Sequence, residues 1–393
     1  MSFWPVLYVI DGILFTMVAL TTFYMLFFAV ASLFYHKSTI PKARHQNRFI
    51  ILITSYKNPK VVQTVKSILG QTYPQRLFDV TVVSDHNDEM TNMRLAQEPI
   101  TLLTPDFEES SKVKALQLGF NNLPQFKIYD VVIILESGNI VEPEFLDQIN
   151  DAYESAGTKA IQVHRLSRNR DTTAARMGAI FEEINTSIFR RGHFAIGLSA
   201  SLMTSGCAFD FTWFRDHVNQ LKSNWVDKEM EVTLMRQRVF IDYFNNIFVY
   251  EEKIRQAEEF NHERGRWIKA QFITLIRNIK FLPGAIFNQH YNWIDKQIQW
   301  MLMPRMVMIP IIIAMGVILP IIYMSLAFKW WILFAIVLLI FAMATPDYMV
   351  DEHWDSTFYK APLVFMKSIP GLSKIAEHIE DWNQKKAKKS KHN

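Results

Sequence analysis

Two kinds of apolar run divide this chain. The long ones lie near its ends. Across residues 6–34 a single formal charge, Asp11, interrupts a stretch of Phe, Leu, Val, Ala, Met and small polar residues. That exceeds the roughly 20 residues that cross a bilayer. Residues 306–328 and 330–346 are also uncharged, with only Lys329 between them. They read as a tight transmembrane hairpin, in which Pro310, Gly316 and Pro320 are tolerated because neighbours satisfy the freed carbonyls. The short runs lie between. Residues 49–54, 79–84 and 130–135 are near-continuous apolar segments of the kind a parallel strand shows when both its faces are buried. Between them Val61, Val62, Val65, Ile68 and Leu69 recur at helical spacing and stop at Gly70 and Pro74. A second helix covers roughly 110–121. Strand, helix, strand, helix, strand is the doubly wound α/β pattern, with right-handed connections.

Ligands in such sheets sit beyond the carboxyl ends of the strands. Residues 54–58, 84–88 and 136–139 are therefore expected around one cleft. Of 393 residues, 50% are hydrophobic and 20% charged, with 30 Phe and 10 Trp. That mix excludes a disordered or collagen-like chain. One cysteine, Cys207, permits no internal disulfide, so the central domain need not face an oxidising compartment. Small residues at Ala29 and Ala31 resemble a signal-peptidase site. The missing basic segment and the length of the run instead read as a retained anchor, with Asp11 near the outer edge.

Lys37, Lys42, Arg44 and Arg48 follow the first run, and Lys374, Lys385, Lys386, Lys388, Lys389 and Lys391 crowd the tail. The positive-inside rule puts residues 36–305 and the C-terminus in the cytoplasm, with three crossings. The expected organisation is an anchor (1–35), a cytoplasmic α/β domain (36–267), amphipathic interface helices (268–305), a transmembrane hairpin (306–346) and a basic tail (347–393). In the interface segment Ile268, Phe272, Leu275, Ile276 and Ile279 form one apolar stripe. Tyr291, Trp293, Ile294, Ile298 and Trp300 form another. Both suit the membrane surface, and packing on the cytoplasmic domain is the alternative.

Four blocks carry a family resemblance: Ser55-Tyr56-Lys57-Asn58 with residues 67–74; Val83-Ser84-Asp85; Leu135-Glu136-Ser137-Gly138-Asn139; and Glu263-Arg264-Gly265-Arg266-Trp267. In this order and spacing the chain resembles the membrane-anchored family-2 glycosyltransferases, the class of cellulose and hyaluronan synthases. The resemblance implies a GT-A-like, Rossmann-related nucleotide-binding domain in an integral membrane protein. It also implies a UDP- or GDP-sugar donor and Mg²⁺ or Mn²⁺. It assigns donor binding to Tyr56, Asp85, Lys112 (or Lys114) and Arg266. Read plainly, Asp85 is a turn cap, and Lys112 and Lys114 belong to a solvated helix face.

The relatives' Asp-x-Asp metal block is here Glu136-Ser137-Gly138, leaving Glu136 and the neighbouring Asn139 as candidate ligands. Three arrangements are open: an ion held mainly by phosphates and Glu136, a chain that no longer transfers sugar, or cationic side chains near 165–176 in place of metal. The segment containing Ser205, Gly206 and Cys207 resembles the loop under the acceptor, and Trp267 offers a flat face to an acceptor ring. Cys207 itself is expected as a small buried hydrophobe. The resemblance aligns the catalytic base with Glu229, with Glu231 as runner-up. An inverting transfer needs such a carboxylate to take the acceptor's proton. The ordinary alternative is a charged helix start, with Asp227, Glu229 and Glu231 facing the helix dipole.

The expected function is inverting transfer to a polysaccharide or lipid-linked acceptor at the cytoplasmic face of the inner (plasma) membrane. Three spans are too few to enclose a polymer pore, so export of a polymer calls for self-association or a partner. Nucleic acid is not expected. The alternative function is a non-catalytic, glycosyltransferase-like subunit of a synthesis or export complex.

Overall fold

The computed structural model describes residues 3–36, 39–352, 354, 357 and 360. An eight-stranded sheet organises it, in the order β3-β2-β1-β4-β7-β6-β8-β5. The strands are β1 (Phe49–Tyr56), β2 (Phe78–Asp85), β3 (Thr101–Leu103), β4 (Val131–Glu136), β5 (Ile140–Val141), β6 (Ala160–Ser167), β7 (Cys207–Asp210) and β8 (Ile241–Glu251). The first four pair in parallel, as the apolar runs predict. The reason is visible in their burial. Ile50, Leu52, Val132 and Ile134 face one apolar layer, and Phe49, Ile51, Ile53, Val131, Ile133 and Leu135 face the other. Helices Val61–Leu69 and Lys112–Asn121 fall where the periodicity places them. Beyond β4 the sheet becomes mixed: β7 runs antiparallel to β4 and to β6, and β8 runs parallel to β6.

Among the described residues three helices are long and apolar enough to cross a membrane: Leu7–Leu33, Arg305–Ile322 and Met324–Ala344. The last two fold back on each other at Tyr323, and Trp331 Nε1 donates to the Gly316 carbonyl at 2.9 Å. The first helix lies alongside them. Its Asp11 is buried, pairs with Lys329 and accepts a hydrogen bond from Trp330 Nε1 at 2.8 Å. An acid in an apolar bundle requires such a partner. Tyr8 meets Tyr323 edge to face at 6.2 Å, so this pair sits at the turn end of the hairpin.

The other end of the first helix docks on the α/β domain. Tyr24 Oη donates to Asp295 Oδ1 at 2.6 Å and lies 2.8 Å from His193 Nε2. The Phe28 and His193 rings stack at 3.6 Å. Gly192, in the π-helical turn Thr186–Gly192, allows that contact, because a Cβ there would lie 2.3 Å from the Phe28 carbonyl oxygen. Gly192→Ala therefore forces the backbones apart. We expect a loss of about 1–3 kcal/mol, as for other overpacked sites, read as a lower melting temperature of the full chain in detergent.

The expected boundary at residue 267 falls inside one continuous helix, Ala257–Asn278, so Arg266 and Trp267 sit on a rigid element rather than a loop. The two amphipathic stripes divide their faces. Trp293, Lys296 and Trp300 are buried against the rest of the protein, and Lys296 reaches Glu231 at 3.2 Å. Phe272, Ile276, Phe287 and Tyr291 are exposed. The lysines at 374–391 lie outside the described residues.

Candidate active site

The carboxyl ends of β1, β2 and β4 come side by side. Tyr56 is paired in register with Asp85, and Thr54 with Glu136. Asp85 is 2% exposed and its Oδ1 lies 2.5 Å from His86 Nδ1. Tyr56 is half exposed, with its ring edge-on to His86 at 5.9 Å and Lys57 Nζ 5.2 Å from its centroid. This corner offers a buried acceptor beneath an open aromatic face, a combination suited to a nucleoside.

Next to it, a cavity of about 270 Å³ is lined by Lys112, Glu136, Arg165, Asp227, Arg266 and Trp267, with Ser205 in its wall. Five different elements, with the loop before β7, supply those side chains, and Arg165 comes from β6. Lys112 begins helix Lys112–Asn121, Glu136 ends β4, Asp227 stands in the first turn of helix Val226–Arg236, and Arg266 with Trp267 come from helix Ala257–Asn278. The Arg266 guanidinium lies 5.7 Å from the Trp225 ring, which joins the last two elements.

Glu136 pairs with Lys112. Burial opposes its ionisation, but Lys112, with Arg165 behind it, holds its carboxyl below the usual range. Arg165 is anchored by Glu251 and Glu182. Asp227 is different. Burial raises its carboxyl above the ordinary aspartate value, against the pull of Lys228 and Lys112. A carboxylate shifted upward in a cleft is suited to accept a proton.

The structure puts Glu229 elsewhere. Its Oε2 accepts from the Lys222 and Ser223 backbone N–H groups at 3.0 and 2.9 Å, capping the turn before its own helix. Glu231 is fully buried between Lys228 and Lys296, each at 3.2 Å. Burial works against its charge, yet those lysines hold its carboxyl at about 2. The cause is helical geometry. Val226, Met230 and Leu234 recur every four residues and turn inward. Asp227 shares that side with Glu231, while Glu229, two residues on, points away. That spacing is the signal by which the sequence distinguishes Asp227 from Glu229, and the flanking lysines Lys228 and Lys296 set Glu231 apart.

Two other assignments also change. Asn139 is buried, and its Oδ1 accepts from the Glu136 N–H at 2.7 Å and from Ser205 Oγ at 2.6 Å, so its oxygen holds the turn together. Gly206 is buried against Val163 and Val249 and is not in the cavity wall. Cys207 is buried, with its Sγ 3.0 Å from the Thr204 carbonyl oxygen.

A divalent ion does not fit this donor set. Glu136 is engaged by a lysine, Gly138 brings no ligand, and Asn139 has spent its oxygen. Gly138 also has a φ of +91°, a conformation that strains any other residue, and its N–H donates to Thr64 Oγ1 at 2.9 Å. Among the described residues no group of three His, Cys, Asp or Glu side chains is placed to hold a metal ion. The cations Lys112 and Arg165 stand beside Glu136 instead.

The sequence profile described as "Glycosyltransferase like family 2" matches residues 45–270. The chain belongs to that family, and its sheet has the GT-A, Rossmann-like form. Among solved structures, the mannosyltransferase PcManGT from Pyrobaculum calidifontis, in complex with GDP-Man and Mn²⁺, superimposes with a TM-score of 0.53 at 12% identity. That match covers 84% of this chain and 97% of the other. S. aureus TarS 1–349 in complex with UDP-GlcNAc follows with a TM-score of 0.40 and 13% identity, over 86% and 92% of the two chains. A search of the curated proteins gives no match.

Proposed function

We propose that this chain is a membrane-embedded inverting glycosyltransferase that uses a nucleoside-diphosphate sugar and takes Asp227 as its base. One observation carries the reading: the end of β4 and the helices bearing Lys112, Asp227 and Arg266 close around one cavity, and the ends of β1 and β2 lie beside that of β4 in the sheet. The nucleoside rests at Tyr56 and Asp85, and the diphosphate lies along Lys112, Arg165 and Arg266. The acceptor hydroxyl, against Trp267, attacks the anomeric carbon while Asp227 takes its proton. The bond from that carbon to the diphosphate oxygen breaks, and the cations meet the released negative charge. Arg266 suits that task because its planar fork matches phosphate oxygens, and its ring contact with Trp225 leaves its hydrogen-bond donors available.

The three helices long and apolar enough to cross a membrane support a cavity at a membrane surface, and the positive-inside pattern favours the cytoplasmic face of the inner membrane. A lipid-linked acceptor suits a site so close to these helices better than a free polymer does.

A second reading, a non-catalytic subunit with the same fold, draws on Gly138 and on Glu263, which stands where the family resemblance expects the glutamine of a Gln-x-x-Arg-Trp motif. The test is nucleoside-diphosphate release from a panel of UDP- and GDP-sugars by the full chain in membranes. Turnover with one donor supports the transferase. Failure to bind any donor supports the subunit. Trp267→Ala is expected to raise the acceptor KM about 10-fold, equivalent to ~1.4 kcal/mol of lost contact, with the donor KM unchanged. Initial rates at varied acceptor check it.

A further inference from the structure

A second cavity, of about 190 Å³, lies between the catalytic cavity and the apolar helices. The two share Met203, Lys228 and Trp267 as wall. Thr21 and Met25 of the first helix and Pro304 and Arg305 at the start of the hairpin close its membrane side.

Its charges do not balance. Arg190, Lys228, Arg264 and Arg305 line it, and no carboxylate does. Arg190 is held by Glu182 at 2.9 Å and Lys228 by Glu231 at 3.2 Å. Arg264 and Arg305 make no ion pair among the described residues. Both stand over the Phe181 ring, at 5.7 and 5.4 Å from its centroid. Arg305 Nη2 donates to Asn185 Oδ1, while Arg305 Nη1 and Arg264 Nε are buried with no hydrogen-bond partner. Their nearest carboxylates give little relief. Glu182 already serves Arg190, Arg165 and Lys253, and Glu263 lines the neighbouring cavity. Two adjacent guanidinium groups, each only partly exposed, repel each other and lose hydration unless an anion joins them.

We propose that Arg264 and Arg305 bind the phosphate of a lipid-linked acceptor, whose tail leaves between the apolar helices and whose glycosyl-accepting end reaches Trp267 and Asp227. The choice of an acceptor over a bulk phospholipid rests on the transferase reading, through the wall shared with the catalytic cavity. The choice of a phosphate follows from its match to paired guanidinium forks. Its position follows from the apolar helices that form the far wall.

The test measures binding to the purified full chain in detergent by tryptophan fluorescence, since Trp267 and Trp300 line the cavity. The probes are a polyprenyl phosphate, the same polyprenol without phosphate, phosphatidylglycerol and inorganic phosphate. Polyprenyl phosphate is expected to bind, with Kd raised at least 10-fold in Arg264→Gln and in Arg305→Gln and largely restored in the corresponding lysine variants. Equal binding of the polyprenol overturns the proposal, as does unchanged affinity in both glutamine variants. Phosphatidylglycerol competing on equal terms identifies a structural lipid site and overturns the acceptor role. Tight binding of inorganic phosphate alone overturns the lipid assignment. Nucleoside-diphosphate binding, followed in the same variants, is expected to stay unchanged and shows that they fold. Arginine-dependent lipid-phosphate binding without any sugar turnover would retain the site and remove the transferase. Turnover without that binding would do the reverse.

Discussion

Asp227→Asn is expected to lower kcat by about 10²–10⁴-fold, the range measured for loss of a positioned general base, while donor affinity changes little. Asparagine keeps the shape and cannot take the acceptor's proton. Glu229→Gln is the paired control. Its carboxylate caps the 222–223 turn at 2.9–3.0 Å and does not line the cavity. Its loss is expected to cost stability, about 1 kcal/mol as for other helix-end caps, and to leave kcat within a few-fold. A large kcat loss in Glu229→Gln with Asp227→Asn active would reverse the assignment. The pH profile gives an independent reading. The base must be ionised, so activity falls as pH drops through the Asp227 pKa. Burial raises that pKa above 3.8, so the acid limb of kcat/KM is expected above the ordinary aspartate value and absent in Asp227→Asn.

The contrast between these two acids shows where sequence reading stops. β1, β2 and β4 are legible because each is an apolar run buried on both faces, and their ends predict the cleft without further information. β6 and β8 are not. Gln162, His164 and Arg165 interrupt the one, and Asp242, Asn245 and Asn246 the other. Two of those polar residues find partners inside the fold: Gln162 Nε2 donates to the Gly206 carbonyl at 3.1 Å, and His164 meets Glu183 at 3.1 Å. No local pattern announces such long-range partners. The same holds for Asn139, whose amide direction is set by Ser205, 66 positions away. Asp227 lies between these cases, since its helical phase is local but has meaning only once the inward side is known.

Lys112→Ala is expected to lower kcat/KM for the donor by about 10²–10³-fold, as when a preorganised charge facing the leaving group is removed. Two effects add. The diphosphate loses a cation, and Glu136, now without its lysine, repels it. Lys112→Ala with Glu136→Gln removes the second effect and is expected to recover part of donor binding. The pair therefore couples in a double-mutant cycle read from donor Kd. A divalent ion acting in place of Lys112 makes the opposite demand. Because Glu136 is engaged by the lysine and Gly138 carries no ligand, wild-type turnover is expected to persist in EDTA. In Lys112→Ala the Glu136 carboxylate is freed, so Mn²⁺ is expected to restore some donor affinity to that variant alone. Abolition of wild-type turnover by EDTA, with full recovery on added Mn²⁺, would show that the lysine is not the counter-charge at this position. The physical distinction is between a cation fixed by the chain and one that arrives with the substrate. A tethered ammonium needs no second carboxylate to hold it, which is why Gly138, set at a φ of +91°, is compatible with a working diphosphate site.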